Sequence, residues 1–225
     1  MSTPLKLSHN ELAALLKSVF RACFGHTQDW AAMAHSVLWL EAHGFGGLDK
    51  LMLAMDKEFY VSPFAGDITE TETGYAVNFK GGHTMTVVHM MVDLLVEAGR
   101  KYGIGTLDIK GAAQTSALIA ALTHCARHGF AAQLTGHDYC AHIAAGDVCP
   151  ALYEGAHDRI TLTCAAELSA PEGKCLQSTR QLQSQNHETL MNGLAIDPNI
   201  YAALMKVADR TLVEASEASR KGAGE

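Results

Sequence analysis

Residues 74–80 read GYAVNFK, 81–105 GGHTMTVVHMMVDLLVEAGRKYGIG, 106–129 TLDIKGAAQTSALIAALTHCARHG and 130–137 FAAQLTGH. In the first piece Tyr75, Val77 and Phe79 alternate with Ala76, Asn78 and Lys80, the period of two that marks a strand. Gly81-Gly82 interrupts it. From Thr84 to Lys101 the positions Met85, Val88, Val92, Leu95 and Val96 fall at helical spacing, and Gly103 and Gly105 end that helix. Thr106 to Ile109 is a short apolar strand. Gln114 to Arg127 is a second helix stopped by Gly129, and Phe130 to Leu134 is a third strand. Strand, helix, strand, helix, strand reads as a βαβαβ unit with parallel strands. The expected fold is therefore α/β: one domain over 1–225, with a central parallel or mixed sheet and helices on both faces.

The segments before this unit read as helices. Ser8-His9-Asn10-Glu11 is a capping box, with Leu7 and Leu12 placed as a hydrophobic staple. The helix it opens runs through Leu12, Leu15, Leu16, Val19 and Phe20 to about Gly25. Thr27 or Asp29 caps a second helix carrying Trp30, Met33, Val37 and Leu40, which stops at His43-Gly44. A third helical piece is expected from Leu48 to about Glu58, followed by a polar, irregular stretch from Pro63 to Thr73.

After the unit, Gly146 to Asp158 reads as loop and Arg159 to Ala165 as an alternating strand. Glu167 to Glu188 has weak apolar content and reads as a mobile loop or a hairpin. Asp197 caps a last helix with Pro198 in its first position and Ile200, Leu204, Val207, Ala208 and Leu212 along one stripe. The tail from Glu214 is small and polar.

Composition narrows the function classes. The chain has 225 residues, 48% hydrophobic, with a formal net charge of −7 and no basic cluster. Phosphate neutralisation needs concentrated Lys and Arg, so nucleic acid is not an expected partner. The apolar runs are too short and too interrupted to span a bilayer, and no signal peptide is expected from MSTPLKLSHNEL. Six scattered cysteines with no C-x-x-C pair fit reduced thiols and a cytoplasmic setting.

Three clusters could carry chemistry. His137, Cys140 and His142 form an H-x-x-C-x-H group, but no fourth ligand is evident, so no metal ligand is assigned. His124 and His128 lie four apart at a helix end, where imidazolium favours the dipole. Gly81-Gly82-His83 at a strand-to-helix junction could cradle phosphate, and Lys110-Gly111 lies at a strand's carboxyl end, where α/β sheets bind ligands.

Ala42-His43-Gly44-Phe45, then GYAVNFKGGHTMTVVHMMVDLLVEAGRKYGIG, then KGAAQTSALIAALTHCARHGFAAQLTGHD, then NGLAIDPNIYAALMKVADRTLV together resemble the malate/L-lactate/sulfolactate dehydrogenase family. These are NAD(P)-dependent 2-hydroxyacid dehydrogenases with a non-Rossmann fold. The resemblance covers roughly Leu7 to Ala165 and Asn192 to Val213. The chain as a whole is more similar to a bacterial family of uncharacterised proteins that share a tail like Ser216 to Gly224. The dehydrogenase resemblance implies a small-molecule ligand, NAD or NADP as cofactor, and a homodimer or a subunit of a hetero-oligomer.

It also implies site residues, with departures. The S-H-G-V histidine is His43. The carboxylate-binding arginine falls on Gly47, with Lys50 the nearest cation. The proton-transfer histidine of S-N-H-F-G falls on Gln114, which cannot exchange a proton near neutral pH. Where the dehydrogenases carry a large segment, this chain has a short connector between Ala165 and Asn192.

Three readings follow. In the first, the chain is a compact, divergent relative that binds a small carboxylate or nucleotide-like ligand with the hydride-transfer acid/base lost, as a binding or accessory subunit. In the second, it is an active NAD(P)H-dependent reductase of a 2-oxo acid or cyclic imine acid. There His43 donates the proton, Lys50 clamps the carboxylate, and Gly81, Gly82, His83, Lys110 and Gly111 form part of the cofactor cradle. In the third, it is a metal-dependent non-redox enzyme using His137, Cys140 and His142.

Overall fold

The computed structural model describes residues 3–24, 29–55, 64, 66–155 and 157–211. In chain order its elements are β1 (Leu5–Leu7), α1 (His9–Phe24), α2 (Trp30–Ala42), α3 (Gly47–Met55), β2 (Asp67–Glu70), β3 (Gly74–Asn78), α4 (Val88–Tyr102), β4 (Ile104–Lys110), α5 (Ile119–Arg127), β5 (Ala131–Thr135), β6 (Tyr139–Ile143), β7 (Ala151–Glu154), β8 (Ile160–Ala165), β9 (Cys175–Gln177), α6 (Thr179–Asn192), β10 (Leu194–Ile196) and α7 (Pro198–Ala208). Short 3-10 turns lie at Thr115–Leu118 and Asp209–Thr211.

Eight strands form one mixed sheet in the order β2-β3-β4-β8-β5-β6-β7-β9, and β1 pairs with β10 apart from it. The expected βαβαβ unit is present as β3-α4-β4-α5-β5, but only β3 and β4 pair in parallel. β8 is inserted between β4 and β5 and runs antiparallel to both. Periodicity identifies a strand without naming its neighbour. The alternation of Arg159 to Ala165 therefore could not show that this late strand occupies the centre of the sheet.

Register sorts the two faces. Leu107, Leu162, Leu134 and Ala141 lie directly across from one another on four adjacent strands and are fully buried. Burying each leucine contributes about 1.5–3 kcal/mol. α4 and α5 pack side by side on this face, α2 covers them, and α1 packs on α2 and α7. α4 approaches β4 closely: a Cβ on Gly105 would lie 2.5 Å from the Leu95 carbonyl oxygen. On the opposite face Ala76, Asp108, Thr161 and Thr135 form one row and Thr106, Thr163, Gln133 and His142 another. These residues are half-buried. Helices were expected on both faces; among the described residues, the helices against the central strands lie on one.

The capping box holds, with the Ser8 amide donating to Glu11 at 2.7 Å and the Glu11 amide to Ser8 Oγ at 3.2 Å. Asp29 caps α2, and Asp197 with Pro198 opens α7. Thr27, Glu58, Leu212 and the tail from Glu214 lie outside the described residues.

Several boundaries differ from expectation. β2 lies within the stretch read as irregular, and β7 within one read as loop. α4 begins at Val88 rather than Thr84. α6 occupies the segment expected as mobile loop or hairpin. Ser178 and Gln181 close a capping box at its start, and Leu182 is its one buried residue, so it has no apolar stripe for periodicity to detect. Among the described residues no helix is long and apolar enough to cross a membrane.

Candidate functional site

The parallel pairing of β3 and β4 continues past both strand ends. The Phe79 amide donates to Lys110 O at 2.8 Å, Gly81 to Gly111 O at 2.7 Å and Ala113 to Gly82 O at 2.9 Å. An isolated bridge joins His83 to Ala113. Gly111 takes φ +61°, and a Cβ there would lie 3.0 Å from Asn78 Oδ1. That left-handed conformation next to a close neighbour favours glycine. Gln114 is also left-handed, at φ +59°, and its carbonyl accepts from Thr84 Oγ1 at 2.8 Å. Its side-chain Oε1 is buried with no hydrogen-bond partner among the described residues.

The two loops named for a cofactor cradle are thus brought together, but the amides of both glycines in the first are occupied. The Gly81 amide serves the ladder, and the Gly82 amide donates to Phe79 O at 2.8 Å. α4 starts five residues after His83, so the positive end of its dipole is not at these glycines.

Beside the end of β4 lies a cavity of about 480 Å³. Ala76 and Ile160 line its apolar part. Its polar wall is Asp108, Lys110, His137, Asp158 and Arg159, with the Gly111 backbone. Asp108 and Lys110 are two apart on β4 and share a face. The register pairs Ile109 with Ile160, and the residues just beyond them, Lys110 and Arg159, line the cavity. Asp108 lies opposite Thr161, whose hydroxyl donates to Asp108 Oδ1 at 3.2 Å. The ion pairs among the described residues join Lys80 to Asp67 and Lys101 to Glu70. Lys110, Arg159, Asp108 and Asp158 belong to neither.

His137 and His157 clip the cavity's outer turn together. His137 Nδ1 donates to His157 O, and the His157 amide donates to His137 O, both at 3.1 Å. Cys140 Sγ lies 3.0 Å from His157 Nε2, a pairing the sequence did not announce because the two are seventeen residues apart. Burial pushes the Cys140 thiol up. His142 Nε2 donates to Leu168 O at 3.0 Å. His137, Cys140 and His142 therefore turn to three different partners. Among the described residues no three His, Cys, Asp or Glu side chains converge to hold a metal.

His43 and Lys50 line no part of this cavity. His43 is 3% exposed, stacked on Trp39 at 4.1 Å between ring centroids. Its Nδ1 donates to Trp39 O at 2.7 Å, which leaves Nε2 to accept from the Cys149 thiol at 3.4 Å. Desolvation holds its pKa below the ordinary histidine value, so the ring is neutral at pH 7. Lys50 donates to the Phe45 carbonyl. Position 47, where the dehydrogenase arginine would fall, admits no side chain: a Cβ there would lie 2.2 Å from Val37 O.

The residues missed in the sequence are Asp108, Asp158 and Arg159. Asp108 had a signal, being the one acidic residue inside the strand TLDIK. Arg159 had none, because its place beside Lys110 depends on the unexpected insertion of β8.

The family model described as "Protein of unknown function (DUF3726)" matches residues 7–111, under half of the chain. No curated protein matches. Among solved structures, malate dehydrogenase from Entamoeba histolytica superposes with a TM-score of 0.65 at 8% identity, over 93% of this chain and 99% of that one. Malate dehydrogenase from Pyrococcus horikoshii OT3 gives 0.61 at 8%, over 94% and 97%. Sulfolactate dehydrogenase from Methanocaldococcus jannaschii gives 0.58 at 11%, over 91% and 97%. The chain resembles these non-Rossmann dehydrogenases distantly, and at such identities the likeness establishes the fold and not the reaction.

Proposed function

We propose that this chain uses a dehydrogenase fold to bind a small carboxylate at the carboxyl ends of β3 and β4, without the hydride-transfer acid/base of that family, as a binding or accessory subunit. The observation that carries this reading is that Lys110 and Arg159 line the same cavity wall, each the next residue beyond the Ile109–Ile160 pair, with neither of them ion-paired among the described residues. Two like charges sharing one small cavity repel each other. A carboxylate lying between them reverses the sign of that interaction and gains charge-assisted hydrogen bonds.

The departures from the dehydrogenase pattern support the loss of chemistry. Gln114 offers no titratable proton. Gly47 leaves no room for an arginine. His43, the proton donor of the reductase reading, has both ring nitrogens engaged away from the cavity. A nicotinamide dinucleotide, suggested by the dehydrogenase likeness, fits these residues poorly. The Gly81 and Gly82 amides are occupied, and α4 begins too far from them for its N-terminus to receive a pyrophosphate there.

The test is calorimetric titration of the full chain with L-lactate, propionate and NADH. Saturable heat with the carboxylates, abolished in the Lys110→Ala/Arg159→Ala variant, is expected. NADH binding together with consumption of NADH on a 2-oxo acid would overturn the proposal.

A further inference from the structure

The same cavity wall holds charges of both signs, and we infer that its ligand is a zwitterion: an α-amino acid, with its carboxylate between Lys110 and Arg159 and its ammonium at Asp108. This rests on reading the cavity as a ligand site and goes beyond that reading by naming the second charge. Lys110 and Asp108 point to one face of β4, and a strand's rise sets their Cα atoms about 6.6 Å apart. Opposite charges in one small cavity would ordinarily close into an ion pair. These two do not, while Lys80 with Asp67 and Lys101 with Glu70 do.

Asp108 is held in place rather than neutralised. Its Oδ1 accepts from the Thr161 hydroxyl at 3.2 Å, a neutral donor. A carboxylate takes about four such bonds in all, so most of its accepting capacity stays open. A ligand with only a carboxylate would meet the cations and be repelled by Asp108 and Asp158. A simple amine would meet Asp108 and be repelled by Lys110 and Arg159. A ligand carrying both groups on one carbon satisfies both ends of the wall. Ala76 and Ile160 on the apolar part leave space for a side chain.

The test compares matched pairs on the wild-type full chain: L-alanine with propionate, L-phenylalanine with 3-phenylpropionate, and L-glutamate with glutarate, by calorimetry at millimolar concentration. At least one amino acid is expected to bind about tenfold or more tighter than its des-amino partner. Asp108→Asn is expected to remove that preference, weakening the amino acid and tightening its des-amino partner. Equal or tighter binding of the des-amino acids overturns the zwitterion and leaves the carboxylate site standing. No binding in any pair overturns both. The wild-type comparison needs no variant to fold, and a thermal melt of Asp108→Asn separates lost preference from lost structure.

Discussion

Lys110 ends β4 and Arg159 immediately precedes β8, both on the wall of one cavity, with no carboxylate ion-paired to either among the described residues. Two like charges on one cavity wall gain nothing from that placement. Removing one charge therefore relieves repulsion in the free protein. Arg159→Ala is expected to leave the ligand-free stability unchanged or raise it by roughly a few tenths of a kcal/mol. It is also expected to abolish any melting shift on adding propionate. Differential scanning calorimetry with and without propionate checks both.

Gly47 marks the position that a dehydrogenase fills with arginine. With Val37 O 2.2 Å and Glu41 N 2.9 Å from a Cβ, even alanine forces α2 and α3 apart. Gly47→Ala is expected to cost about 1–3 kcal/mol in urea unfolding, and Gly47→Arg more.

Gln114 already adopts the left-handed backbone that a histidine can tolerate. Gln114→His would therefore return an imidazole to the loop. Because Gly47 still excludes the arginine and His43 stays buried, this variant is expected to show no NADH oxidation with pyruvate or oxaloacetate above background in a spectrophotometric assay.

The helix layer carries an acid-sensitive cluster. His35 on α2 and His124 on α5 meet edge to face at 5.4 Å, with His89 on α4, Arg127 and His128 also bearing on His124. Asp29 and Asp93 act on His89 in the opposite sense. Burial first, then these neighbouring positive groups, lowers His124 from 6.5 to about 4, and His35 and His89 shift the same way, mainly through burial. A depressed histidine pKa means the unfolded chain binds more protons between the two values. Stability is full above pH 6.5 and falls progressively toward pH 4, below which His124 contributes no further loss. The loss from His124 is on the order of 2 kcal/mol after solvent screening. His124→Gln is expected to flatten this slope in denaturation measured across that pH range.

Thiol reactivity follows burial. Cys125, Cys140, Cys149 and Cys164 are buried, Cys23 is half-buried and Cys175 is exposed. Desolvation raises the pKa of the five covered thiols, that of Cys23 to about 11. Brief alkylation of the native protein at pH 7.5 (roughly one unit below an ordinary thiol pKa) is expected to label Cys175 first, read by peptide mass spectrometry.

Much of the scaffold was legible in the sequence because it obeys local rules. The Ser8–Glu11 box, Asp197-Pro198 and the periodicity of residues 74–134 each report a helix start or a face. What stayed hidden is non-local. β8 enters the sheet centre from far along the chain, and only that insertion puts Arg159 beside Lys110. α6 escaped because one buried leucine leaves no stripe. The candidate residues divide the same way. Lys110 and Gly111 lie on the cavity wall, as a strand-end rule suggests. His43, Lys50 and Gln114 came from family likeness, and the first two lie away from that cavity. Gly81 and Gly82, the other cradle glycines, have their amides engaged in backbone hydrogen bonds.

A ¹H–¹⁵N titration of the wild-type chain, first with propionate and then separately with NADH, bears on the site most directly. Saturable shifts centred on the amides of Lys110, Gly111 and Arg159 with propionate, absent in Lys110→Ala/Arg159→Ala, are expected. Shifts centred on Gly81, Gly82 and His83 with NADH, and none at Lys110 or Arg159 with propionate, would contradict a carboxylate site at the end of β4.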